Sequence, residues 1–377
     1  MPDAASIPSA CSVNPVNWIA LLGCPDRPTD GVEDYCTFLA RALQDRGIHM
    51  DLVRVPWMEA GWFPGLWNLW RRSAGWRGQW VLLQYTALSW SRRGFPFGVL
   101  ATLAILRRRG DRCAVVFHEP SRQSQFSTRW IDRIRGASQD WVIRKLYDRA
   151  SMSIFTVPLE TVGWLRAKGD KAAFIPIGAN IPERVRRRAA PAQAGKVRTV
   201  IVFGVSDSPE AAAPEVNVIS TVMLEACNAL DKLRLVVAGR GALEAGELFA
   251  KALQGRNIDF VVHGVLPAER IADEFESADA LLFVRGPITT RRGSVMAGIA
   301  CGVPIVGYRG PEVSCMLEAA GVEWSPLQDR ESLTRGLIRV LSDSQRWTEL
   351  HERNIEMQKN YFSWNRIAER FQAVLAP

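Results

Sequence analysis

A polar, basic turn followed by a short helix of small residues is the segment of this chain best suited to chemistry. The apolar run Ala280 to Val284 predicts a buried strand before it, and another apolar run follows Pro304. A helix that begins after such a strand offers unpaired backbone N–H groups, and guanidinium groups pair well with phosphate oxygens. The turn is therefore a candidate site for a diphosphate, with these residues as ligands: Thr289, Thr290, Arg291, Arg292, Gly293 and Ser294.

The helix after this turn is suited to close contact with a sheet, because Ala297, Gly298 and Ala300 have little side-chain volume. It ends at Cys301-Gly302-Val303-Pro304. A polar turn, a helix ending in Ala-Cys-Gly and an apolar strand opened by Pro together resemble the donor-sugar signature of glycosyltransferase family 4. The resemblance implies an α/β fold of the GT-B type, with two Rossmann-like domains and a nucleotide-sugar site in the cleft between them.

Length and composition agree with a folded protein of two domains. The chain has 377 residues, of which 47% are hydrophobic and 23% charged, and a single domain rarely reaches this length. No apolar run approaches the roughly 18 residues that span a bilayer. The first 16 residues hold no Lys or Arg, and the seven cysteines are scattered. These features favour a cytoplasmic protein with free thiols.

Apolar runs alternate with helical patterns along the chain, which predicts parallel, doubly wound sheets. Predicted strands in the first half are Asn17–Gly23, His49–Val55, Val81–Tyr85, Ala114–His118, Met152–Thr156 and Ala173–Ile175. Predicted helices there are Phe97–Arg109, Thr128–Arg149 and Leu159–Lys168, besides one that begins at Asp30. Predicted strands in the second half are Thr199–Gly204, Leu233–Ala238, Ile258–Val262, Ala280–Val284 and Pro304–Gly307.

The composition changes around Pro182, where a stretch rich in Arg, Ala and Pro has no apolar period. We expect an N-terminal acceptor-binding domain over residues 1–182 and a linker over 183–198. A C-terminal nucleotide-sugar-binding domain is expected over 199–360. In the family the last helix, here within 361–377, crosses back to the N-terminal domain.

Two positions in the first half are candidates for contact with substrate. Asp30 predicts a helix N-cap with Glu33 as its capping-box partner, and Gly31 between them resembles the family's first glycine loop. His118 and Glu119 follow a predicted strand, where ligands bind in open α/β sheets. The resemblance implies that His118 contacts the donor sugar, with Glu119 beside it as a second catalytic candidate. A glycine needed only for a turn, or a structural histidine, would give the same pattern.

Turns after the predicted strands of the second half resemble the family's nucleotide site. The resemblance implies donor contacts at Gly204, Ser206, Gly239, Arg240, His263, Gly264 and Val265. The family usually has Arg and Lys after the glycine at position 204, and this chain has neither. We therefore expect Arg291 and Arg292 to neutralise the diphosphate.

The family's two glutamates are also missing, since their positions hold Thr289 and Ala297. They normally bind the ribose and lie near the sugar. The resemblance therefore supports three alternatives: a divergent transferase, an inactive GT-B partner protein, or a nucleotide-sugar epimerase of the same fold. The transferase would move a sugar from a nucleotide-diphosphate donor to a glycan or lipid-linked acceptor, with retention, in polysaccharide or glycolipid synthesis.

Other classes of enzyme lack support in the sequence. There is no Walker A motif, no pair of aspartates spaced for an Asp-x-Asp metal site, and no zinc-ligand spacing among the four His. We therefore expect no cofactor and no metal, with the nucleotide sugar as co-substrate.

The first half is strongly basic and aromatic. Between Arg54 and Arg149 there are sixteen Arg and one Lys against six acidic residues, and ten of the fourteen Trp lie between Trp57 and Trp164. Trp favours membrane interfaces and clustered Arg is attracted to anionic lipid. We expect peripheral binding to the inner face of a cell membrane and no nucleic-acid partner, although many of these Trp could simply form core.

Overall fold

Two parallel six-stranded sheets, each covered by helices, form the structure. The computed structural model describes residues 16–26, 30–120, 130–165, 170–184, 197–311 and 313–376. The first sheet contains β1 (Val16–Leu22), β2 (Ile48–Arg54), β3 (Trp80–Tyr85), β4 (Arg112–Phe117), β5 (Met152–Phe155) and β6 (Ala172–Phe174). The helices around it are α1 (Gly31–Gln44), α2 (Trp57–Ala60), α3 (Trp62–Arg72), α4 (Gly98–Arg109) and α5 (Trp130–Arg149).

The second sheet contains β7 (Arg198–Phe203), β8 (Leu233–Ala238), β9 (Ile258–Val262), β10 (Ala280–Pro287), β11 (Ile305–Tyr308) and β12 (Val322–Ser325). Its helices are α6 (Pro209–Leu230), α7 (Gly246–Leu253), α8 (Ala268–Ser277), α9 (Gly293–Ala300), α10 (Cys315–Ala319), α11 (Arg330–Ser342) and α12 (Ser344–Met357). A π-helical turn, Gln358–Phe362, leads into the last helix, α13 (Trp364–Val374). The α/β class predicted from the sequence is confirmed.

The order of the strands locates the ligand crevice in each sheet. The orders are β2-β1-β3-β4-β5-β6 and β12-β11-β10-β7-β8-β9. The chain reverses direction across the sheet between β1 and β3, and again between β7 and β10. Ligands of open parallel sheets bind at the carboxyl ends of the strands beside such a reversal.

Helix α1 begins as its sequence predicts. The Asp30 carboxylate accepts hydrogen bonds from the backbone N–H groups of Val32 and Glu33, which an N-cap residue should do. The capping box also predicts a bond from the Asp30 backbone N–H to the Glu33 carboxylate, and this prediction is wrong. The Glu33 carboxylate instead accepts from Arg54 at 2.6 Å. Arg54 also donates to Asp30 at 2.7 Å and to the Gly23 carbonyl at 3.0 Å. One guanidinium thus holds the first strand end and the start of the helix together.

The last helix packs on the first sheet's side of the molecule, against α1. Trp364 at its start stacks with Phe38, meets Tyr35 edge-on and donates its indole N–H to the Ala179 carbonyl at 2.7 Å. A side chain on Gly178 would collide with the Trp364 ring, since an added Cβ would lie 2.7 Å from it. Close packing therefore fixes this helix against residues that support the cleft.

One predicted helix is wrong. Residues Leu159–Thr161 form a single 3-10 turn, and 162–165 are not helical. The remainder of that prediction, 166–169, lies outside the described residues, as do 185–196 of the predicted linker. The domain boundaries themselves stay a prediction. Over the ranges given above, we find no helix long and apolar enough to cross a membrane.

Candidate functional site

A cleft of about 860 Å³ lies between the two sheets and is lined by residues from both. Seven of the residues singled out in the sequence meet there: Gly31, His118, Glu119, Arg240, Arg291, Arg292 and Gly293. They come from the start of α1, the end of β4, the end of β8 and the segment leading into α9. The cleft therefore collects strand ends and helix starts, where backbone and side-chain polar groups are available to a ligand.

His118 forms part of the wall from the first sheet. Its ring packs edge-on against Tyr35 with centroids 5.0 Å apart, and Nε2 lies 2.8 Å from Oε1 of Gln84. Burial lowers the pKa of His118 to about 4, with Asp30 opposing that shift. The imidazole is therefore neutral near pH 7 and suited to hydrogen bonding.

Gly31 has open space beside it. An added Cβ would meet only the Asn180 side-chain nitrogen, at 3.9 Å, and the glycine has no positive φ. The same Asn180 nitrogen donates to the Gly31 carbonyl at 3.0 Å. Neither packing nor backbone conformation requires glycine here, so the interpretation that it serves only the turn is weakened. The predicted close approach of a ligand to Gly31 stays a prediction.

The start of α9 lines the cleft from the second half of the chain. Arg292 is its N-cap, and no side chain caps the first turn. Arg291, Arg292 and Gly293 line the cleft there, so backbone N–H groups and two guanidinium groups are close together. The small residues predicted to let this helix approach a sheet do so, since a Cβ on Gly298 would lie 2.9 Å from Leu281 and 3.2 Å from Ile305.

Arg240 forms ion pairs with carboxylates beside the cleft. Its guanidinium lies 3.0 Å from Asp26 of the first half and 4.0 Å from Asp207. Arg240 therefore pairs with carboxylates from both halves of the chain. Arg291 and Arg292 lie at the start of α9.

The other predicted donor residues lie outside the cleft lining. Thr289 and Thr290 are buried, and the Thr290 hydroxyl donates to the Thr156 carbonyl at 2.8 Å. Ser206 bonds Glu215 through its hydroxyl at 2.6 Å, and His263 lies 3.4 Å from Glu274. The remaining members of this group are Gly204, Gly239, Gly264, Val265 and Ser294.

Gly239 and Gly264 hold two turns together, because the Gly239 N–H donates to the Gly264 carbonyl at 3.1 Å. Both Gly204 and Gly239 have positive φ, which favours glycine. A structural role is thus visible for these glycines, and their predicted contacts with a donor stay a prediction.

Arg285 was missed by the sequence reasoning. Its Nη1 would lie 3.5 Å from a Cβ on Gly204, and its Nε is 3.8 Å from Glu215. It lies on β10 beside the turn that follows β7, and it is not among the residues that line the cleft. The sequence did contain a signal for Arg285, because it is a charged residue directly after the apolar run that ends at Val284. Asp26, Tyr35, Gln84 and Asn180 were missed as well, because only their spatial neighbours connect them with the site.

Within the described residues, we find no group of three or more His, Cys, Asp or Glu side chains that could hold a metal ion. The cleft's cationic groups are arginines. Any phosphate bound there would meet guanidinium and backbone N–H donors.

Comparison with solved structures finds similar folds along nearly the whole chain. HepE from Anabaena, in complex with UDP and glucose, has a TM-score of 0.65 at 10% identity, over 96% of this chain and 99% of its own. Sucrose-phosphate synthase from Thermosynechococcus elongatus gives 0.65 at 17%, over 95% and 98%. The fold is GT-B.

GT-B proteins of more than one activity are among these neighbours. A putative UDP-N-acetylglucosamine 2-epimerase from Listeria monocytogenes has a TM-score of 0.59 at 11% identity, over 96% of this chain and 95% of its own. No protein-family model and no curated protein matches the sequence. The GT-B fold is therefore established, while membership of family 4 stays a prediction.

Proposed function

We propose that this GT-B protein is a glycosyltransferase, a divergent relative of family 4, that uses a nucleotide-diphosphate sugar. The observation that carries the proposal is the composition of the cleft: the wall from the first half contains neutral His118, and the wall from the second half contains Arg291, Arg292 and the start of α9. A diphosphate fits the second wall and a sugar fits the first. Neighbours of the same fold hold UDP with glucose or UDP-glucose, which supports a uridine nucleotide as the first donor to test.

The reaction we propose breaks the bond between the anomeric carbon and the diphosphate oxygen and forms a bond to an acceptor oxygen. The acceptor attacks from the face that the diphosphate leaves, so configuration is retained. Its proton passes to the departing diphosphate, so no protein base is needed. Arg291, Arg292 and the N–H groups of α9 stabilise the charge that develops on the diphosphate. These positive groups do the work that a metal ion does in other transferases, so we expect activity in the presence of a chelator.

We further propose a lipid-linked acceptor, in polysaccharide or glycolipid synthesis on the cytoplasmic face of a membrane. The support is a surface on α3, α4 and α5, which we call the aromatic face. Ten large hydrophobic residues are exposed in the described part of the chain, and six of them belong to this face: Phe63, Trp67, Phe97, Trp130, Ile134 and Trp141. Their concentration on three neighbouring helices favours an interface over scattered surface residues.

The helices that carry the aromatic face pack against one another and also carry exposed arginines. Helix α4 packs against both α3 and α5, and Phe97 meets Trp141 with ring centroids 6.0 Å apart. On α5, Trp130, Ile134 and Trp141 are spaced to lie along one side of the helix. Exposed arginines flank them: Arg71, Arg72, Arg107, Arg108, Arg133 and Arg144. Aromatic rings beside arginines suit the interface of an anionic bilayer.

Not every Trp of this segment contributes to the face. Trp62 is stacked between Trp57, at 5.1 Å, and Trp90, at 6.5 Å. It also fills the space over Gly98, where an added Cβ would lie 2.2 Å from its ring. Trp62 therefore belongs to the packing beneath the face.

An epimerase is the second candidate, favoured by the neighbour from Listeria monocytogenes. An inactive partner protein is the third. Calorimetry with a panel of nucleotide sugars separates the inactive protein from both enzymes, because only an enzyme is expected to bind a donor.

Product analysis then separates the two enzymes. A transferase should hydrolyse its donor slowly without an acceptor and glycosylate membrane extracts. An epimerase should convert the donor sugar with no acceptor present. If no nucleotide sugar binds below millimolar concentration, both enzymatic functions are ruled out.

A further inference from the structure

Gln84 is a buried polar side chain that the reaction proposed above does not use. It lies near the end of β3 and is 2% exposed. Its amide nitrogen donates to the Leu82 carbonyl at 3.2 Å, which directs the amide oxygen the other way. That oxygen lies 2.8 Å from Nε2 of His118. The orientation of the amide is thus set by a second hydrogen bond.

An amide oxygen can only accept, so Nε2 of His118 must carry the hydrogen in this pair. The buried ring is neutral near pH 7, which leaves Nδ1 without a hydrogen. No protein group bonds Nδ1 within the described residues, and His118 lines the cleft. The ring therefore has one unused lone pair at the substrate site.

We propose that Gln84 is a positioning residue that holds His118 in the Nε2–H form, so that Nδ1 accepts a hydrogen bond from a hydroxyl of the bound sugar. His118 then recognises a hydroxyl hydrogen and neither donates to the sugar nor serves as an acid. Tyr35, edge-on to the ring at 5.0 Å, keeps the ring plane in place. The identity of the ligand rests on the proposed function, but the tautomer of the His118 ring does not.

Nitrogen-15 NMR of the imidazole rings tests the form of the ring without any substrate. The chain has four His, and the spectrum of His118→Asn assigns the signals of His118. At pH 7 we expect Nε2 to give the signal of a protonated ring nitrogen and Nδ1 that of an unprotonated one. The opposite tautomer, or a doubly protonated ring, would overturn the proposal.

Two variants of Gln84 test its role. Gln84→Glu keeps an acceptor beside Nε2 and should keep the tautomer. Gln84→Met has a similar length but no acceptor of comparable strength, so the ring should become a mixture of both forms. A fold check by circular dichroism accompanies each variant. An unchanged Nε2–H signal in folded Gln84→Met would show that Gln84 does not set the tautomer.

Donor analogues test the hydrogen bond to substrate. Each sugar hydroxyl is replaced in turn by hydrogen and by fluorine, which cannot donate. At the hydroxyl that meets Nδ1, both analogues should bind about tenfold more weakly, a typical loss when a buried acceptor is left unpaired. In Gln84→Met this penalty should shrink.

A fluorinated donor that binds as well as the parent at every position, or an unchanged penalty in Gln84→Met, would refute the contact. Failure of every nucleotide sugar to bind would instead contradict the proposed function, and the NMR result would still stand.

Discussion

Asp26 and Arg240 both line the cleft and join the two halves of the chain, with the carboxylate 3.0 Å from the guanidinium. Both side chains are partly exposed, so the pair contributes little to folding stability, roughly 0–1 kcal/mol. Its effect on the cleft is electrostatic, because Asp26 offsets a positive charge beside the proposed diphosphate site.

Replacing Asp26 by Asn should therefore strengthen diphosphate binding a few-fold at low salt, and Arg240→Gln should weaken it. Calorimetry with UDP measures both. The unfolding temperature of each variant should stay near that of the parent protein. A weaker affinity in Asp26→Asn would show that the bridge holds the cleft in its binding shape and that its charge is secondary.

Arg291 and Arg292 should contribute to binding of the diphosphate and little to binding of the nucleoside. A charged hydrogen bond is worth about 1.5–3 kcal/mol, so Arg291→Ala or Arg292→Ala should weaken UDP binding about tenfold to a hundredfold. Uridine serves as the matched ligand without phosphate. Equal losses for UDP and uridine would place these arginines elsewhere in the site.

Gly31→Ala should harm ligand binding without harming the fold. The structure leaves 3.9 Å between an added Cβ and its nearest neighbour, and Ala is a better helix former than Gly. Thermal unfolding should be unchanged or slightly higher, while donor or acceptor affinity falls.

Gly98→Ala is the matched control for Gly31. It places a methyl group 2.2 Å from the Trp62 ring, so it should lower stability by about 1–3 kcal/mol. Normal affinity and turnover in Gly31→Ala would show that no ligand approaches this glycine.

The aromatic face should bind vesicles that contain anionic lipid and should release them as salt rises, because the Debye length falls from about 10 Å at 0.1 M to about 3 Å at 1 M. Arg71→Glu with Arg72→Glu should remove most of the salt-sensitive binding. Trp67→Ala, at a side chain 59% exposed, should weaken the salt-resistant remainder without loss of stability.

Leu243→Ala provides the control for the face, since that side chain is 63% exposed in the second half of the chain. It should leave vesicle binding unchanged. Co-sedimentation that is equal for anionic and neutral vesicles at low salt would point to a protein partner for the aromatic face.

Asp111 should make stability fall as pH rises from about 4 to 6. Burial raises its pKa from 3.8 to about 6, and neither carboxylate oxygen has a partner within the described residues. In this window the folded state holds a proton that the unfolded state has lost, so raising the pH favours unfolding.

Asp111→Asn should therefore flatten this dependence and raise stability at pH 7 by up to about 3 kcal/mol, at about 1.4 kcal/mol per pKa unit. Urea unfolding at several pH values measures the effect. Glu352→Gln, at an exposed position, is the control. A parent protein whose stability is flat between pH 4 and 6 would contradict the raised pKa.

The local chemistry of the sequence was enough for the α/β class, eleven of the twelve described strands and the start of α1, whereas β12 was missed. Strands of a parallel sheet are buried on both faces, so runs such as Val81–Tyr85 and Leu233–Ala238 are recognisable without any tertiary information. A capping carboxylate such as Asp30 acts on its own neighbours, so it is recognisable as well. The short helices α2 and α3 were missed, because their aromatic and Pro residues have weak helical preference and depend on packing.

Which candidates meet at one site was decided by the tertiary structure alone. His118 and Arg292 are far apart in sequence and line one cleft, whereas Thr290 lies beside Arg291 in sequence and is buried against Thr156. The same holds for Trp62 and Trp67, five residues apart, of which one is packed and the other exposed. Local patterns follow from backbone geometry within a few residues. Burial, pairing and the tautomer of His118 depend on neighbours that only the packed chain brings together.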